Sequence, residues 1–405
     1  MSELPLLELA ANERIDPQTR AADPLLNAFV TANAGAGKTT TLVRRVARLL
    51  LHGARPEGVL CVTYTKAAAA EMQSRLFQTL GGWAVAKDDD LLAELRAIGA
   101  PGDDLGRARR LFAQALETPG GLKIQTLHAF CEQLLRRFPL EAGLSPGFTV
   151  MDDAEARMTA ERAREDVAHL ALRDEDGPIG RAYEHLAVEL DGKSFEALLH
   201  QLDGVREGIA AYADACRARG EGVHDDVWRV CGFDGEPTDP EALEQAAVEA
   251  CQWAQWREHA AVLAQSNATD GKTAQAMYRL AELEGRGDAA FAEHLRLFSD
   301  AKGKPRGKLA GVKVAADTQE WLTAEQSRLH AACERATAAR QALDTVHVLT
   351  LGAAYVGAYA HRKAERNALD FSDLTQAARR LLTESDAAAW VLFKLDGGID
   401  HVLVD

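Results

Sequence analysis

With 405 residues, 47% of them hydrophobic, the chain is long enough for two or three domains with buried cores, which excludes a peptide-sized or disulfide-stapled scaffold. Its 46 lysines and arginines against 61 aspartates and glutamates leave a formal charge of −15, so it cannot coat nucleic acid as a histone-like polycation does, and any DNA contact must be local. The six cysteines include no CxxC pair, arguing for reduced cytoplasmic thiols over a zinc ribbon or disulfide framework; the acidic start lacks a signal peptide's basic region, and no run of about 18 apolar residues marks a membrane span.

From residue 27 to 139 short apolar runs alternate with helical stretches, the pattern of a parallel sheet with crossover helices and hence of an α/β fold. Strands are expected at Ala28–Ala32 (AFVTA), Val59–Tyr64 (VLCVTY) and Lys123–Thr126 (KIQT), with helices starting near Gly37, Ala67 and His128; a fourth strand is expected at His401–Asp405 (HVLVD). From about 155 to 345 Ala, Glu, Arg and Leu at helical spacing dominate, which predicts a mostly helical inserted domain. Within it, the acid-rich stretch Glu221–Glu249 reads as a solvated loop flanking short helices, and Lys302–Lys313 (KGKPRGKLAGVK) as an exposed basic loop. Asp317–Ala368 contains no proline and could form one long helix or two. The domain reading is therefore 1–150, a helical insertion at 151–344, and a return at 345–405.

The first expected strand runs into NAGAGKTT. Residues Ala32–Thr39 read AxxGxGKT, against the phosphate-loop pattern GxxxxGK[ST], with alanine in place of the first glycine. The chemistry of a phosphate cradle is nevertheless provided for. Gly35 and Gly37 permit backbone angles that turn successive N–H groups inward, and the following helix offers its positive end to an anion. Ala32, Asn33, Ala34, Gly35, Ala36, Gly37, Lys38, Thr39 and Thr40 are the candidate nucleotide contacts. Lys38 serves as the catalytic cation on the β and γ phosphates of ATP, and Thr39 as an Mg²⁺ ligand. A carboxylate at the end of another parallel strand must complete the Mg²⁺ shell, and Asp405, closing the run VLV, is the candidate catalytic and metal-binding acid. A second GKT at Gly271–Thr273 lacks the preceding strand and the second glycine, and reads as a polar turn or helix start.

These motifs resemble superfamily 1A DNA helicases of the UvrD and RecB kind, and among them the bacterial AddA group of helicase-nucleases. The resemblance rests on ANAGAGKT, on Gln18 twenty residues before Lys38, on VLCVTYTKAAAAEM (Val59–Met72), on KIQTLHAFCEQLLRRFP (Lys123–Pro139), on LDFSDL (Leu369–Leu374) and on KLDGGIDHVLVD (Lys394–Asp405). It implies a RecA-like core in which Gln18 reads the adenine edge and Thr63, Tyr64, Thr65, Lys66, Thr126, His128 and Phe130 contact single-stranded DNA. Hydroxyls and helix N-termini suit phosphates there, and an aromatic ring gives a base something to stack on. Many relatives carry asparagine where this chain has Lys66. The resemblance also implies ATP and Mg²⁺ as cofactors, 3′ to 5′ translocation, duplex and single-stranded DNA ends as substrates, an AddB-type partner, and exonuclease activity in double-strand break repair by recombination. On this reading the chain stops within its Walker B site, short of the catalytic glutamate, the second motor domain and the nuclease, and turns over ATP negligibly as it stands.

Bland readings stand beside these. Taken alone, Tyr64 could equally be a core aromatic, His128 a helix-start residue, and Phe130 an inward-packing one beside Leu134, Leu135 and Phe138. A solvated linker is favoured over a duplex or partner contact for Lys302–Lys313. Arg136 and Arg137 face solvent, Trp253 and Trp256 pack the helical domain, and Cys61 and Cys131 are buried small apolar groups. Two other function classes remain open. A phosphate-loop kinase or other small NTPase would explain the loop but not the two later strand-to-helix blocks; a non-enzymatic module binding single strands or nucleotide would keep DNA affinity without turnover.

Overall fold

A computed structural model describes residues 16–31, 33, 35–102, 104–119, 121–284, 291–396 and 398–405. The regular elements begin with α1 (Pro17–Ala21), α2 (Lys38–His52), β1 (Val59–Thr63), α3 (Lys66–Val85), α4 (Asp88–Ala97), α5 (Leu105–Leu116), β2 (Lys123–Thr126), α6 (Leu127–Arg137) and β3 (Thr149–Val150). A helical run follows: α7 (Asp153–Arg173), α8 (Pro178–Glu189), α9 (Gly192–Ala218), α10 (Val223–Val230), α11 (Pro240–Glu249), α12 (Trp253–Ala264), α13 (Ala268–Ala281), α14 (Phe291–Phe298) and α15 (Ala316–Glu365). The chain ends with β4 (Ala368–Leu369), α16 (Phe371–Thr383), α17 (Ala388–Asp396) and β5 (His401–Val404). These elements form two compact units, one of residues up to Ala156 with Ala364–Asp405, the other Arg157–Lys363.

The first unit holds a parallel sheet in the order β2-β1-β5, with Cys61 paired to Ile124 on one side and to Leu403 on the other. As the central strand, β1 is buried along its whole length, which is why it reads as an unbroken apolar run. The apolar stripes of α2 (Val43, Val46, Leu50) and α3 (Met72, Leu76, Leu80) share one core with Val59, Cys61 and Leu403. Burial pushes the Cys61 thiol up to about 12, so it stays protonated, as expected of a packed cysteine. A second cluster joins α6 to α16 and α17 through Leu134, Leu135, Phe138, Leu374, Leu381 and Val391. A short parallel pair, β3 with β4, binds the two chain segments of this unit together.

The strand expected at Ala28–Ala32 is not formed by its described part. Residues 28–31 have no ladder partner, Phe29 is 95% exposed, and Ala32 lies outside the described residues. Apolar, β-favouring side chains are only half of a strand; the other half is an edge to pair with, and both edges of β1 are taken by β2 and β5. The segment just before is instead pinned to α2: Arg45 donates to the Ala21 and Asp23 carbonyls at 3.0 and 2.7 Å, and Arg48 to the Thr19 carbonyl at 2.7 Å. Burial lowers the pKa of both guanidinium groups, with Asp23 pulling the other way. Arg136 does not simply face solvent either. Its guanidinium lies 4.7 Å from the Phe148 ring centroid and donates to the Phe148 carbonyl.

The second unit is built from helices. Asp317–Ala368 resolves into one helix, α15, for most of its length: proline-free, it buries Leu322, Leu329, Ala336, Ala339 and Val346 along a single stripe. The position near 345 where the chain was expected to return lies inside α15, and the units part at Lys363. Gly271–Thr273 falls in the first turn of α13, capped by Asn267. The acid-rich stretch holds α10 and α11, and Asp226 within it is buried rather than solvated. Its carboxylate accepts from Tyr212 Oη at 2.6 Å, from Arg219 at 3.1 Å and from Arg229. The Tyr212 hydrogen bond is the largest of the effects that hold this carboxyl below the usual carboxylate range. A depressed folded pKa stabilises the fold above the unfolded value of about 4, and that contribution is lost as pH falls through the folded pKa. Helical circular dichroism followed on the acid side should therefore fall less steeply with pH in Asp226→Asn than in the parent chain; identical acid slopes would contradict this role.

Candidate nucleotide and single-strand site

Asn33, Gly35 and Ala36 lead into α2, and Ala32 and Ala34 between and before them lie outside the described residues. Gly35 and Gly37 take φ of +79° and +84°, the left-handed region that a side chain disfavours. Gly37 caps α2 without any side-chain hydrogen bond, and the first turn carries no acid. The helix thus presents its first amides with no carboxylate in competition, which suits phosphate. Lys38 arches back over the loop, donating to the Asn33 carbonyl at 3.4 Å. Thr39 is half-buried in the first turn, and Thr40 accepts from Arg75 at 3.4 Å across from α3.

Gln18 stands against this loop. Its amide Nε2 donates to the Ala36 carbonyl at 3.3 Å, its Oε1 accepts from Arg44 at 3.4 Å, and a methyl group added to Gly37 would come within 3.1 Å of Nε2. The sequence separation of Gln18 and Gly37 is closed by α1, whose Asp16 cap and Arg48 tether set it on α2. Gly37→Ala meets both obstacles, the left-handed φ and the Gln18 amide. It is expected to weaken nucleotide binding while Gly35→Ala, with open space around its added carbon, suffers from the backbone alone; equal losses in calorimetry would contradict the Gln18 contact.

The carboxyl ends of the three strands lie side by side. Asp405 follows β5, and its N–H donates to the Val62 carbonyl of β1 at 2.9 Å. Thr63 ends β1 and Thr126 ends β2, paired in register. Thr63 is 2% exposed, and its hydroxyl donates to the Thr65 carbonyl at 3.0 Å, shaping the turn. Thr65 and Thr126 cap α3 and α6, accepting from the Ala68 and Ala129 amides at 3.1 and 3.2 Å. Between them Tyr64 is 83% exposed, so it is no core aromatic, and Lys66 is exposed beside it. His128 is half-buried, with its ring 4.8 Å from that of Phe371, the third residue of LDFSDL. Phe130 turns the other way and packs with the α6–α16 core. Asp370 of the same motif spends its carboxylate in a reciprocal cap with Asp373 at the start of α16.

Sequence reasoning passed over Arg44, Arg45 and Arg75, which hold Gln18, the pre-loop segment and Thr40 in place, and the partly exposed ring of Phe371. Periodicity gives no signal for the arginines, because each acts across a contact far apart in sequence. The oxygen donors Thr39 and Asp405 are of the hard kind that Mg²⁺ takes alongside nucleotide phosphates, so the side chains present fit ATP with Mg²⁺.

Residues 16–405 match the UvrD/REP helicase N-terminal domain. The chain belongs to this family. The likeness to the AddA group also holds: the chain is 32% identical over 175 residues to the AddA-type ATP-dependent helicase/nuclease of Lactobacillus acidophilus, covering 43% of this chain and 13% of that protein. Proteins of the same name from Desulforamulus reducens and Moorella thermoacetica are 38% identical over 135 residues and 36% over 170. The first alignment covers 33% of this chain and 9% of that protein, the second 41% and 11%, so the chain spans only a small part of the length of these helicase relatives. Among the described residues, no helix is long and apolar enough to cross a membrane.

Proposed function

We propose that this UvrD-family chain is the ATP-binding, single-strand-tracking part of a DNA helicase that works 3′ to 5′ on broken DNA ends, in a helicase-exonuclease with an AddB-type partner, in recombinational repair in the cytoplasm. The observation that carries the reading is Gln18 seated against Gly37 and Ala36, because it places an amide able to read a purine edge beside an uncapped, acid-free helix N-terminus. Lys38 would meet the β and γ phosphates, the loop amides from Asn33 to Thr40 would carry the rest of the anion, and Thr39 with Asp405 would hold Mg²⁺. Bound there, Mg²⁺ supplies charge neutralisation of the phosphates. A kinase reading accounts for the loop but gives no use for the exposed Tyr64 or for the His128–Phe371 pair.

For the strand, Tyr64 and the His128–Phe371 pair offer faces on which bases stack, while Lys66 and the capped turns at Thr65 and Thr126 suit phosphates. Thr63 supports the turn from within, and Phe130 belongs to the packing of α6 more than to the track. Tyr64→Ala should lower affinity for an oligothymidine strand by about 1–3 kcal/mol, the usual worth of one stacked base. Fluorescence anisotropy checks it, and Val85→Ala, another exposed apolar position, serves as control. Unchanged strand affinity in Tyr64→Ala would refute the proposed track.

A further inference from the structure

We infer that the basic loop between α14 and α15 is a second nucleic-acid surface, one that takes the phosphodiester backbone and lies in the helical unit, apart from the strand track; this rests on the DNA-handling reading above. Residues Lys302–Lys313 carry five cations and no acid in a chain of net charge −15. The loop is held in shape by contacts that leave its lysines out. The Asp300 carboxylate accepts the Lys302 and Lys304 amides at 2.8 and 3.0 Å, and Arg306 donates to the Ser299 carbonyl at 2.7 Å. From α15, Gln326 donates to the Phe298 and Arg306 carbonyls, and Asp270 accepts the Gly311 amide. Lys302, Lys304, Lys308 and Lys313 are all exposed.

A linker that only joins two helices does not need a frame of this kind. Rigid presentation of unshared charges lowers the ordering cost of binding a polyanion. Beside the loop runs a groove of about 290 Å³, walled by Arg306, Lys308 and Val312 and floored by Gln319 and Thr323 of α15. The floor residues are uncharged, and the nearby acids are Asp300, committed to the loop amides, and Glu320 on the next face of α15. A regularly spaced anion such as a nucleic-acid backbone fits four lysines spread along such a wall. No ring in the loop offers a base a stacking face, so the contact should be blind to sequence.

The test compares the full 405-residue chain with a variant carrying Lys302→Gln, Lys304→Gln, Lys308→Gln and Lys313→Gln, and with the corresponding four arginine substitutions. Arg306 is left in place because it braces the loop. Anisotropy of a labelled duplex is followed over a salt series. If each lysine neutralises one phosphate, the slope of log affinity against log salt should become shallower by about 3–4 in the glutamine variant and stay unchanged in the arginine variant. An unchanged slope in the glutamine variant overturns the proposal. So does a loss of binding to polyglutamate with DNA binding intact, which would assign the loop to an acidic protein segment. The Tyr64→Ala chain separates the two ideas: if it loses strand affinity while the loop variant behaves as the parent, the strand track stands and the loop surface falls. If the parent chain binds no DNA at all, both fall.

Discussion

Lys38→Ala is expected to cost about 1.5–3 kcal/mol of ATP affinity, or roughly 10- to 150-fold, the range for removing one charge-assisted hydrogen bond to an anion. Lys38 is exposed and lies over the loop, its ammonium on the Asn33 carbonyl, so truncation removes a phosphate partner without opening the core. Thermal stability should stay close to that of the parent, and Lys38→Arg should recover charge but not geometry, because a planar fork cannot replace a compact ammonium inside a glycine loop. Calorimetric titration with ATP and Mg²⁺ measures all three chains. Equal affinity for the parent and the alanine variant would remove Lys38 from the site.

Trp256→Ala should be the most damaging single change in the helical unit. The indole is 0% exposed in a core with Leu263, Met277 and Leu329, and its Nε1 donates to Glu325 Oε1 at 2.9 Å. Loss of a buried tryptophan side chain costs about 3–5 kcal/mol from transfer and cavity together. Removing the donor also leaves Glu325 to Arg328 alone, which grips both carboxylate oxygens at 2.7 and 2.8 Å. For a unit of this size each kcal/mol shifts the midpoint by about 2–4 °C, so calorimetry should find the helical transition lowered by roughly 6–20 °C. Trp256→Phe keeps most of the volume and should recover more than half of the loss. A shift of under about 2 °C for the alanine variant would mean that the site collapses around the missing ring.

The parts of the fold legible in the sequence were those fixed by local rules. Val59–Thr63 and Lys123–Thr126 are strands because apolar and β-favouring runs meet a threonine that then caps the next helix, and both halves of that junction lie within a few residues. Gly35 and Gly37 announce left-handed turns because other residues avoid that region. α15 could be read as continuous because nothing in it breaks a helix. What failed was what depends on a distant partner. Ala28–Ala32 has the composition of a strand but no edge among the described residues, Asp226 has the look of a solvated acid but sits beneath Tyr212 and two arginines, and Phe130 was assigned outward from a motif while its helix turns it toward α16. Gln18 is the instructive intermediate. Its spacing from Lys38 suggested a role by resemblance, and the contact with Gly37 supplies a physical reason for it.

The central claim is that the loop before α2 cradles phosphates opposite a metal-binding carboxylate at the end of β5. The most direct measurement is a crystal structure of this chain with a non-hydrolysable ATP analogue and Mg²⁺. The account predicts β and γ phosphates against the amides of Gly35–Thr39, the adenine edge at Gln18, and Mg²⁺ coordinated by Thr39 Oγ1, with Asp405 as its ligand directly or through one water. A nucleotide seated elsewhere, or a metal in that loop with Asp405 beyond the reach of a bridging water, would contradict it.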